Sequence, residues 1–401
     1  MRDLAETFRP GSGYRAFFGS LTTFGLAYGL YKGVLDNYLA EIVEMSEMGR
    51  GVSEFFRELP GLALVFLLAA FYMMSAERIY KMGAMIMLVG MVLHAVIPVH
   101  KVLVTAAICI YSLGEHLQLG MRNTLSLEYA QPGRGGTALG LQNSIYQIGS
   151  LAGYLIIAAV FSLGQSSLGL FRGIYWSAAA ITGFGFLLSL RMTGHSATDP
   201  SKRRFYFHKK YRKYYMLEVF YGARKQIFFT FGPYVLVLFY KAGAATISLL
   251  FAVSAVCCFA AAPLVGRIID RLGYKIVMVA DTLLLVIVCF FYGFAHHIFD
   301  MQTAFLVCCV NYVLDSVISL ASMASNVYVQ DLSDSPDEMR ATISTGLSVN
   351  HMITILIALF GGWIWEALGI ETLFILSAVL GLCNSAYAAT IRTSKKTAVG
   401  R

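Results

Sequence analysis

Ionisable side chains occur at helical spacing inside apolar stretches of this sequence. Lys32 and Asp36 are four residues apart, and Tyr28 precedes Lys32 by the same interval. Glu115 and Arg122 are seven residues apart. Side chains at such intervals lie on one face of an α-helix. The spacing of Lys32 and Asp36 therefore predicts an ion pair between them. The spacing of Glu115 and Arg122 predicts a second helix with a charged face that can bind a ligand or a proton.

The second half of the chain contains similar polar faces. Glu218, Tyr221 and Lys225 follow one another at intervals of three and four residues. Arg224 lies about 100° round the same helix from Lys225. A further polar row consists of Asn311, Asp315, Ser319, Ser322 and Asn326, and His351 follows Asn350 in a later apolar segment. Carboxylates and histidine in such places can exchange protons when they are removed from water.

The elements that carry these side chains are predicted to cross a membrane. Hydrophobic residues make up 57% of the 401 residues, charged residues only 13%, and the mean hydropathy is +0.66. Soluble proteins contain roughly 25% charged residues. The apolar residues form long runs, such as 61–74 and 276–295, and roughly 20 helical residues are needed to cross a bilayer. This composition excludes an ordinary cytosolic enzyme, a disordered protein and a nucleic-acid-binding domain.

The cysteines and the N-terminus give two further expectations. The seven cysteines lie within apolar runs and lack C-x-x-C spacing, so we expect no disulfide, no metal site and no other cofactor. Residues 1–10 contain charges and no apolar segment, so we expect no cleavable signal peptide.

Twelve apolar segments predict an all-α membrane protein with two pseudo-symmetric bundles of six transmembrane helices. The segments are 14–40, 54–75, 82–99, 102–127, 135–163, 170–191, 214–240, 245–266, 275–296, 301–329, 340–365 and 370–391. A basic, polar gap divides them into two sets of six. We therefore predict an N-terminal bundle at 1–192, a basic cytoplasmic linker at 193–213 and a C-terminal bundle at 214–401.

The distribution of Lys and Arg predicts the orientation. Alternate loops, counted from the N-terminus, contain 22 of the 31 basic residues, whereas the opposite loops contain only Arg50, Arg57, Lys101, Arg172 and Lys241. Cytoplasmic loops carry the excess of basic residues. Both termini and the central linker should therefore be cytoplasmic in a multi-pass protein of the cell membrane. Attraction to anionic headgroups accounts for the rest of the +8 net charge, and a lipid-regulated switch in the linker is the alternative.

The two halves share short sequence patterns. The pattern Y-G-x-x-K occurs at Tyr28–Lys32 and again at Tyr221–Lys225, where the spacing from Tyr to Lys is four in each case. Arg134 precedes a Gly-Leu pair by six residues, and so does Arg340. Matches at equivalent places in the two halves favour a duplicated six-helix unit.

One loop resembles a known signature. Residues 266–275 contain Gly266, Asp270, Arg271, Gly273 and Lys275, in the order G-x-x-x-D-R-x-G-x-[RK]. This segment resembles the signature of the major facilitator superfamily of secondary transporters. In that superfamily the signature lies in the cytoplasmic loops after the second and eighth helices, and the resemblance implies a charge network that latches neighbouring helices. The equivalent first-half loop keeps Glu77 and Arg78 and lacks both glycines.

The resemblance also implies which helices line the substrate cavity, namely 1, 4, 7 and 10. A charge at the centre of a membrane helix costs about 2.5–3.5 kcal/mol on insertion scales, so such residues are candidates for function. Lysine acts as a point charge, and arginine can hold an anion with two hydrogen bonds. The substrate-binding candidates are Tyr28, Lys32, Arg122, Tyr221, Lys225 and Asn311, and the proton-coupling candidates are Glu115, Asp315 and His351. Alternatively, the charged and amide side chains inside the helices form structural ion pairs and hydrogen bonds. This alternative is strongest for Asp36, Glu218, Arg224 and Asn143.

The sequence therefore predicts a monomeric secondary active transporter, surrounded by membrane lipids, that works by alternating access. The favoured substrate is a small organic anion or zwitterion moved together with protons, and the alternative is an efflux pump for amphipathic compounds or drugs. An enzyme is disfavoured because H-E-x-x-H, G-x-S-x-G and clustered metal motifs do not occur. A channel is disfavoured by the twofold repeat within one chain. A sensor without transport activity is disfavoured because it would usually have an added soluble domain, for which the sequence has no room.

Overall fold

The computed structural model describes residues 7–71, 74–131, 134–192 and 207–391. Residues 193–206 of the predicted linker, and residues 1–6 and 392–401 at the two termini, lie outside the described residues. The described chain is helical and contains no β-strand beyond one isolated bridge between Phe8 and Ala130.

The helices are numbered here in chain order. They are α1 (Tyr14–Asn37), α2 (Glu47–Ala70), α3 (Ala76–Val96), α4 (Lys101–Tyr129), α5 (Gly135–Leu163), α6 (Leu168–Leu190), α7 (Arg212–Leu238), α8 (Ala244–Leu272), α9 (Tyr274–Ile298), α10 (Met301–Ile318), α11 (Met323–Leu332) and α12 (Pro336–Ala389). A π-helical segment, Tyr38–Ile42, follows α1, and a 3-10 turn, Ser319–Ser322, joins α10 to α11.

Several helix boundaries differ from the sequence prediction, and two of these differences change the interpretation. Helix α2 begins at Glu47, seven residues before the predicted start at 54. Arg50 and Glu54 form an ion pair of 2.8 Å within it and are 2% and 0% exposed. Because the pair neutralises itself, a charged segment can be helical and buried, and the assignment of Arg50 and Arg57 to a loop is wrong. Helix α12 covers the last two predicted spans and is interrupted at Gly369, where φ is +90°.

By length and composition, eight helices of the described chain are apolar enough to cross a membrane. They are Ala76–Val96, Lys101–Tyr129, Thr137–Leu163, Leu168–Leu190, Ala244–Leu272, Tyr274–Ile298, Met301–Leu332 and Ala341–Ala389. The last has 49 residues and contains the Gly369 break, so it is long enough for two crossings at roughly 20 residues each. The chain is a multi-pass membrane protein.

The chain forms two compact units. Unit 1 comprises residues 1–45, 56–200 and 242–252, and unit 2 comprises residues 46–55, 201–241 and 253–401. The first residues of α2 thus belong to unit 2, and the first residues of α8 belong to unit 1.

Unit 1 is held together by close helix packing and an aromatic core. Gly25 and Gly29 of α1 face Gly149 and Gly153 of α5, and a Cβ added to Gly29 would lie 2.2 Å from the Ser150 carbonyl oxygen. Small residues spaced by four allow membrane helices to approach this closely. The apolar core contains Phe8, Phe17, Phe24, Tyr80, Leu125, Tyr129 and Met192 among its buried members.

Unit 2 has a core in a similar place on its own helices. Its buried members include Tyr211, Tyr214, Tyr274, Val277, Ala324, Tyr328 and Ile391. These residues come from the start of α7, the start of α9 and from α11, as the unit 1 core comes from the start of α1, the start of α3 and the end of α4. A close approach also recurs, because a Cβ added to Gly222 of α7 would lie 2.8 Å from the Asn350 side-chain nitrogen of α12.

Candidate substrate and coupling sites

The first charged site of unit 1 is the pair that Lys32 and Asp36 form on α1. The Lys32 ammonium donates a hydrogen bond of 2.9 Å to Asp36, and the two residues are 8% and 1% exposed. The Lys32 Nζ also lies 5.4 Å from the centre of the Phe251 ring. Asp36 therefore neutralises Lys32 within the same helix, as the spacing of the two residues predicts. The Lys32 ammonium also lies close enough to the Phe251 ring for a cation–π interaction.

Helix α4 positions the second charged site of unit 1. The Arg122 guanidinium stacks 4.0 Å above the Tyr146 ring of α5 and is buried. Gln118, one turn before it, is fully buried, and its amide has no hydrogen-bond partner among the described residues. Glu115 is half-buried and interacts electrostatically with Arg122 and Lys32. The helix periodicity thus brings a carboxylate, an amide and a guanidinium onto one polar face.

Tyrosine and phenylalanine rings surround these charges. Tyr28 is half-buried, with its ring centre 6.0 Å from that of Tyr146. The Tyr154 ring lies 5.5 Å from Phe251, which itself faces Lys32. The unit 1 site therefore combines two buried cations with apolar ring surfaces that can pack an organic group.

The main charged site of unit 2 is centred on Arg224 of α7. Arg224 is 0% exposed, and its guanidinium nitrogens lie 3.4 Å from Asp315 of α10 and 3.8 Å from Asp281 of α9. Its charge also lies 5.1 Å from the Tyr221 ring. One guanidinium thus faces two carboxylates from two different helices. The Tyr221 hydroxyl donates a hydrogen bond of 3.1 Å to the Ser319 carbonyl oxygen, which ties α7 to the 3-10 turn after α10.

A small cavity with both apolar and polar lining residues lies beside this site, within unit 2. Its volume is about 20 Å³, enough for one water molecule. Glu218 and Asp281 both line it. Glu218 accepts hydrogen bonds of 3.1 Å from Ser325 and 3.3 Å from Asn350. Two carboxylates on different helices therefore line one small cavity.

The other predicted site residues of unit 2 are placed as follows. Lys225 is half-buried on α7, and the fully buried cation of that helix is its neighbour Arg224. Asn311 is buried on α10, where its amide donates a 2.8 Å hydrogen bond to the Val307 carbonyl of its own helix. His351 is half-buried on α12.

The signature loop forms a tight helix–helix connection. Gly266, Asp270 and Arg271 lie in the last turns of α8, and Lys275 lies in the first turn of α9. Gly273 alone joins the two helices, with φ +86° and ψ 150°. In the first half, Glu77 and Arg78 lie in the first turn of α3, and buried Glu77 accepts a 2.7 Å hydrogen bond from the Tyr129 hydroxyl. The Glu77 carboxylate is therefore tied to the unit 1 core.

Sequence reasoning missed three charged groups. Asp281 lies 3.8 Å from the Arg224 guanidinium, because its position on α9 faces α7. Glu54 of α2 accepts a 2.9 Å hydrogen bond from Gln226, a partner far away in the sequence. His296, His297 and Glu371 also lie together, although 74 residues separate the second histidine from the glutamate. In the sequence, the only signal for Asp281 and Glu54 is a charged residue at helical spacing.

Comparisons with known proteins agree with this architecture. The family model described as Major Facilitator Superfamily matches residues 214–400. A mutant form of the nucleoside transporter NupG superposes with a TM-score of 0.74 at 16% identity, covering 95% of this chain and 100% of that chain. No curated protein sequence matches the chain significantly.

Two further solved structures share the fold. A D-xylose-proton symporter gives a TM-score of 0.70 at 14% identity, covering 96% of this chain and 98% of that chain. A POT family transporter in complex with 5-aminolevulinic acid gives 0.74 at 12% identity, covering 94% and 95%. At such identities the likeness shows the fold.

The match to the family model covers residues 214–400, and the fold is shared over nearly the whole chain. The resemblance to the major facilitator superfamily that the sequence predicts is therefore confirmed over the second half of the chain. Together with the apolar helices long enough to cross a membrane, it supports a transporter of small molecules.

Proposed function

We propose that the protein is a secondary active transporter that moves a small organic anion or zwitterion by alternating access and couples this movement to protons. In this proposal the chain is a monomer in the cell membrane, with both termini in the cytoplasm and lipids around it. The predicted 1–192 and 214–401 bundles are the two bodies that move.

The observation that carries the coupling proposal is the Arg224 site. Two ionised carboxylates share one contacting guanidinium, and Lys225 acts on Asp315 only through a more distant electrostatic interaction. An excess of negative charge therefore remains among the contacting groups in a buried place, which is costly. Binding of one proton by Asp315 or Asp281 removes that excess charge. Transfer of the proton to water then restores it, so the site can alternate between two charge states during a transport cycle.

The substrate class follows from unit 1. Arg122 can hold a carboxylate with two hydrogen bonds while its face stacks on Tyr146. Lys32 can contribute its charge to the same anion when its ion pair with Asp36 opens. Asp36, which neutralises Lys32, also offers a carboxylate to an amino group. These groups suit a small zwitterion as well as an anion. The POT family transporter of the same fold was solved with 5-aminolevulinic acid, which carries both an amino and a carboxyl group.

The alternative substrate is an amphipathic compound that is exported. The rings of Phe251 beside Lys32 and Tyr146 beside Arg122 favour it, because they offer apolar surface to an organic body. The rings of Tyr154 and Tyr28 extend these two surfaces. A thermal-shift screen separates the two classes, since a bound ligand stabilises the folded protein by mass action. Stabilisation by anionic or zwitterionic metabolites supports the proposal, and stabilisation by lipophilic cations alone supports the alternative.

The coupling experiment uses the ligand from that screen in proteoliposomes with an imposed pH gradient. We expect Asp315→Asn to abolish uphill accumulation, because the neutral amide cannot exchange a proton, while counterflow exchange is partly retained. Glu115→Gln and His351→Gln test the other two proton-coupling candidates in the same assay. Wild-type uptake that follows a sodium gradient and ignores the pH gradient contradicts proton coupling.

Asp300→Asn is the matched control. Asp300 is the exposed N-cap of α10 and accepts a 2.7 Å hydrogen bond from the Thr303 hydroxyl. The hydrogen bonds from the Thr303 side chain and then its backbone hold the pKa of Asp300 below its usual value, so this carboxylate stays ionised in the assay. We expect uphill transport by this variant to match wild type.

A further inference from the structure

Two histidines and a glutamate meet at the end of α9 that lies away from the signature loop. The His297 Nε2 lies 2.7 Å from Glu371 Oε1, and the His296 Nε2 lies 3.2 Å from the same oxygen. One potential ligand atom from each residue lies within 4.8 Å of the others. All three residues belong to unit 2, and none of them belongs to the substrate or coupling sites described above.

The backbone brings these residues together in a defined way. A Cβ added to Gly293 of α9 would lie 3.3 Å from Phe374 and 3.5 Å from the Glu371 Cα, so α9 and the second part of α12 are in close contact one turn before the histidines. Gly369 turns the chain at φ +90°, and a Cβ there would lie 2.7 Å from Glu371 Oε2. The kink in α12 at Gly369 therefore leaves room for the Glu371 carboxylate.

His296 is the more buried of the two histidines, and its ring packs against neighbouring rings. The His296 ring lies 5.0 Å from Phe239 and 4.0 Å from the His297 ring. Its side chain is 12% exposed, and its Nδ1 atom is buried with no hydrogen-bond partner among the described residues. The His297 and Glu371 side chains are 57% and 28% exposed, so an ion in solution can reach the site.

We propose that His296, His297 and Glu371 form a binding site for Zn²⁺ that links α9 to the second part of α12. Two imidazoles and one carboxylate are a ligand set that zinc uses when a fourth position is left to water. The imidazoles disfavour Mg²⁺ and Ca²⁺, which take oxygen ligands. Bound zinc replaces the hydrogen bonds between Glu371 and the histidines, and so ties two helices together on the face that the topology predicts to be extracellular.

The test is zinc binding by the full-length, tag-free protein in detergent. Isothermal titration with Zn²⁺ should give a saturable site with one ion per chain, and zinc should raise the melting temperature. Co²⁺ should bind in its place and give the visible absorption of a tetrahedral site. His297→Ala and Glu371→Gln should each weaken zinc binding by at least about tenfold, since even loss of partners that only support a metal ligand has this effect.

Two comparisons make the result decisive. His100→Ala removes an exposed histidine at the start of α4 and should leave zinc affinity unchanged. Mg²⁺ should produce neither heat nor stabilisation. Because His297 is largely exposed, His297→Ala should fold normally, which melting without metal verifies. Zinc affinity that stays unchanged in His297→Ala and Glu371→Gln, or that falls equally in His100→Ala, overturns the proposal.

Discussion

At the scale of single residues, the charge that matters most in unit 2 is not the one that the sequence repeat indicates. The repeated Y-G-x-x-K pattern selects Lys225 as the partner of Lys32. In the structure the fully buried cation is Arg224, and it contacts carboxylates on α9 and α10. Neighbouring helical residues point about 100° apart, so periodicity alone leaves both cations as candidates. The choice between them is made by Asp281 and Asp315, whose positions depend on helix packing.

The Arg224 site makes a prediction about stability. Arg224→Met leaves two carboxylates without their cation in a buried place, and breaking a buried ion pair in this way costs about 3–5 kcal/mol. We expect a large fall in melting temperature in detergent. Asp281→Asn should cost less, because Asp315 still faces the guanidinium. The double variant Arg224→Met with Asp315→Asn should lose less than the sum of the single changes, because the two residues interact.

Lys225→Met is the matched comparison for Arg224→Met. It removes the adjacent, half-buried cation from the same helix and should change the melting temperature much less. Equal losses in the two variants would show that the effect comes from a cation in α7 in general, and would contradict the specific role given to Arg224. Additive losses in the double variant would contradict the ion pair with Asp315.

At the scale of elements, the sequence predicts helices better than it predicts where they begin. The break between the last two predicted spans falls where Gly369 interrupts α12, because the glycine and the change in hydropathy coincide. The start of α2 was placed too late because its charged residues look like a loop. The mutual neutralisation of Arg50 and Glu54 depends on a helix that the local composition does not favour.

The turn between α8 and α9 makes a prediction about the signature loop. At φ +86° and ψ 150°, Gly273 has a backbone conformation that is essentially limited to glycine. We expect Gly273→Ala to destabilise the protein by about 1–3 kcal/mol, which is the usual cost of such strain. Gly266 lies within α8 with nothing near the place of an added Cβ, so Gly266→Ala should leave the melting temperature unchanged or raise it slightly, because alanine is more favourable than glycine inside a helix.

Comparing melting temperature with transport for these two variants tests the predicted latch. If Gly266 is needed only in another conformation, Gly266→Ala should slow transport while the protein remains stable. A stable Gly273→Ala variant would contradict the strain argument. A Gly266→Ala variant with full transport and full stability would remove Gly266 from the latch.

At the scale of the whole molecule, the class of protein could be predicted from the sequence, whereas the details of the sites could not. Composition and one loop of ten residues were sufficient to predict the all-α membrane fold and the resemblance to the superfamily, since both depend on local features. The pairs Arg224–Asp281 and Glu54–Gln226, and the group around Glu371, join residues far apart in the chain. Such contacts depend on which helix faces pack against each other, and a single sequence does not show this packing directly.

The orientation of the molecule in the membrane is the last prediction. Arg50 and Arg57 lie near the start of α2, so they stay on the side opposite the linker together with Lys101, Arg172 and Lys241. The orientation therefore rests on 22 basic residues on the linker side against five on the opposite side. The face that contains His100 should be extracellular, and the face that contains Lys209 should be cytoplasmic.

Labelling of single cysteines tests this orientation. In a background from which the seven native cysteines have been removed, His100→Cys should react with a membrane-impermeant maleimide in intact cells. Lys209→Cys should react only after the cells are made permeable. The two residues form a matched pair because both side chains are exposed and both lie next to the start of a helix. Labelling of Lys209→Cys in intact cells would contradict the orientation, and would also place the proposed zinc site on the cytoplasmic face, because α9 joins the signature loop to His296 and His297.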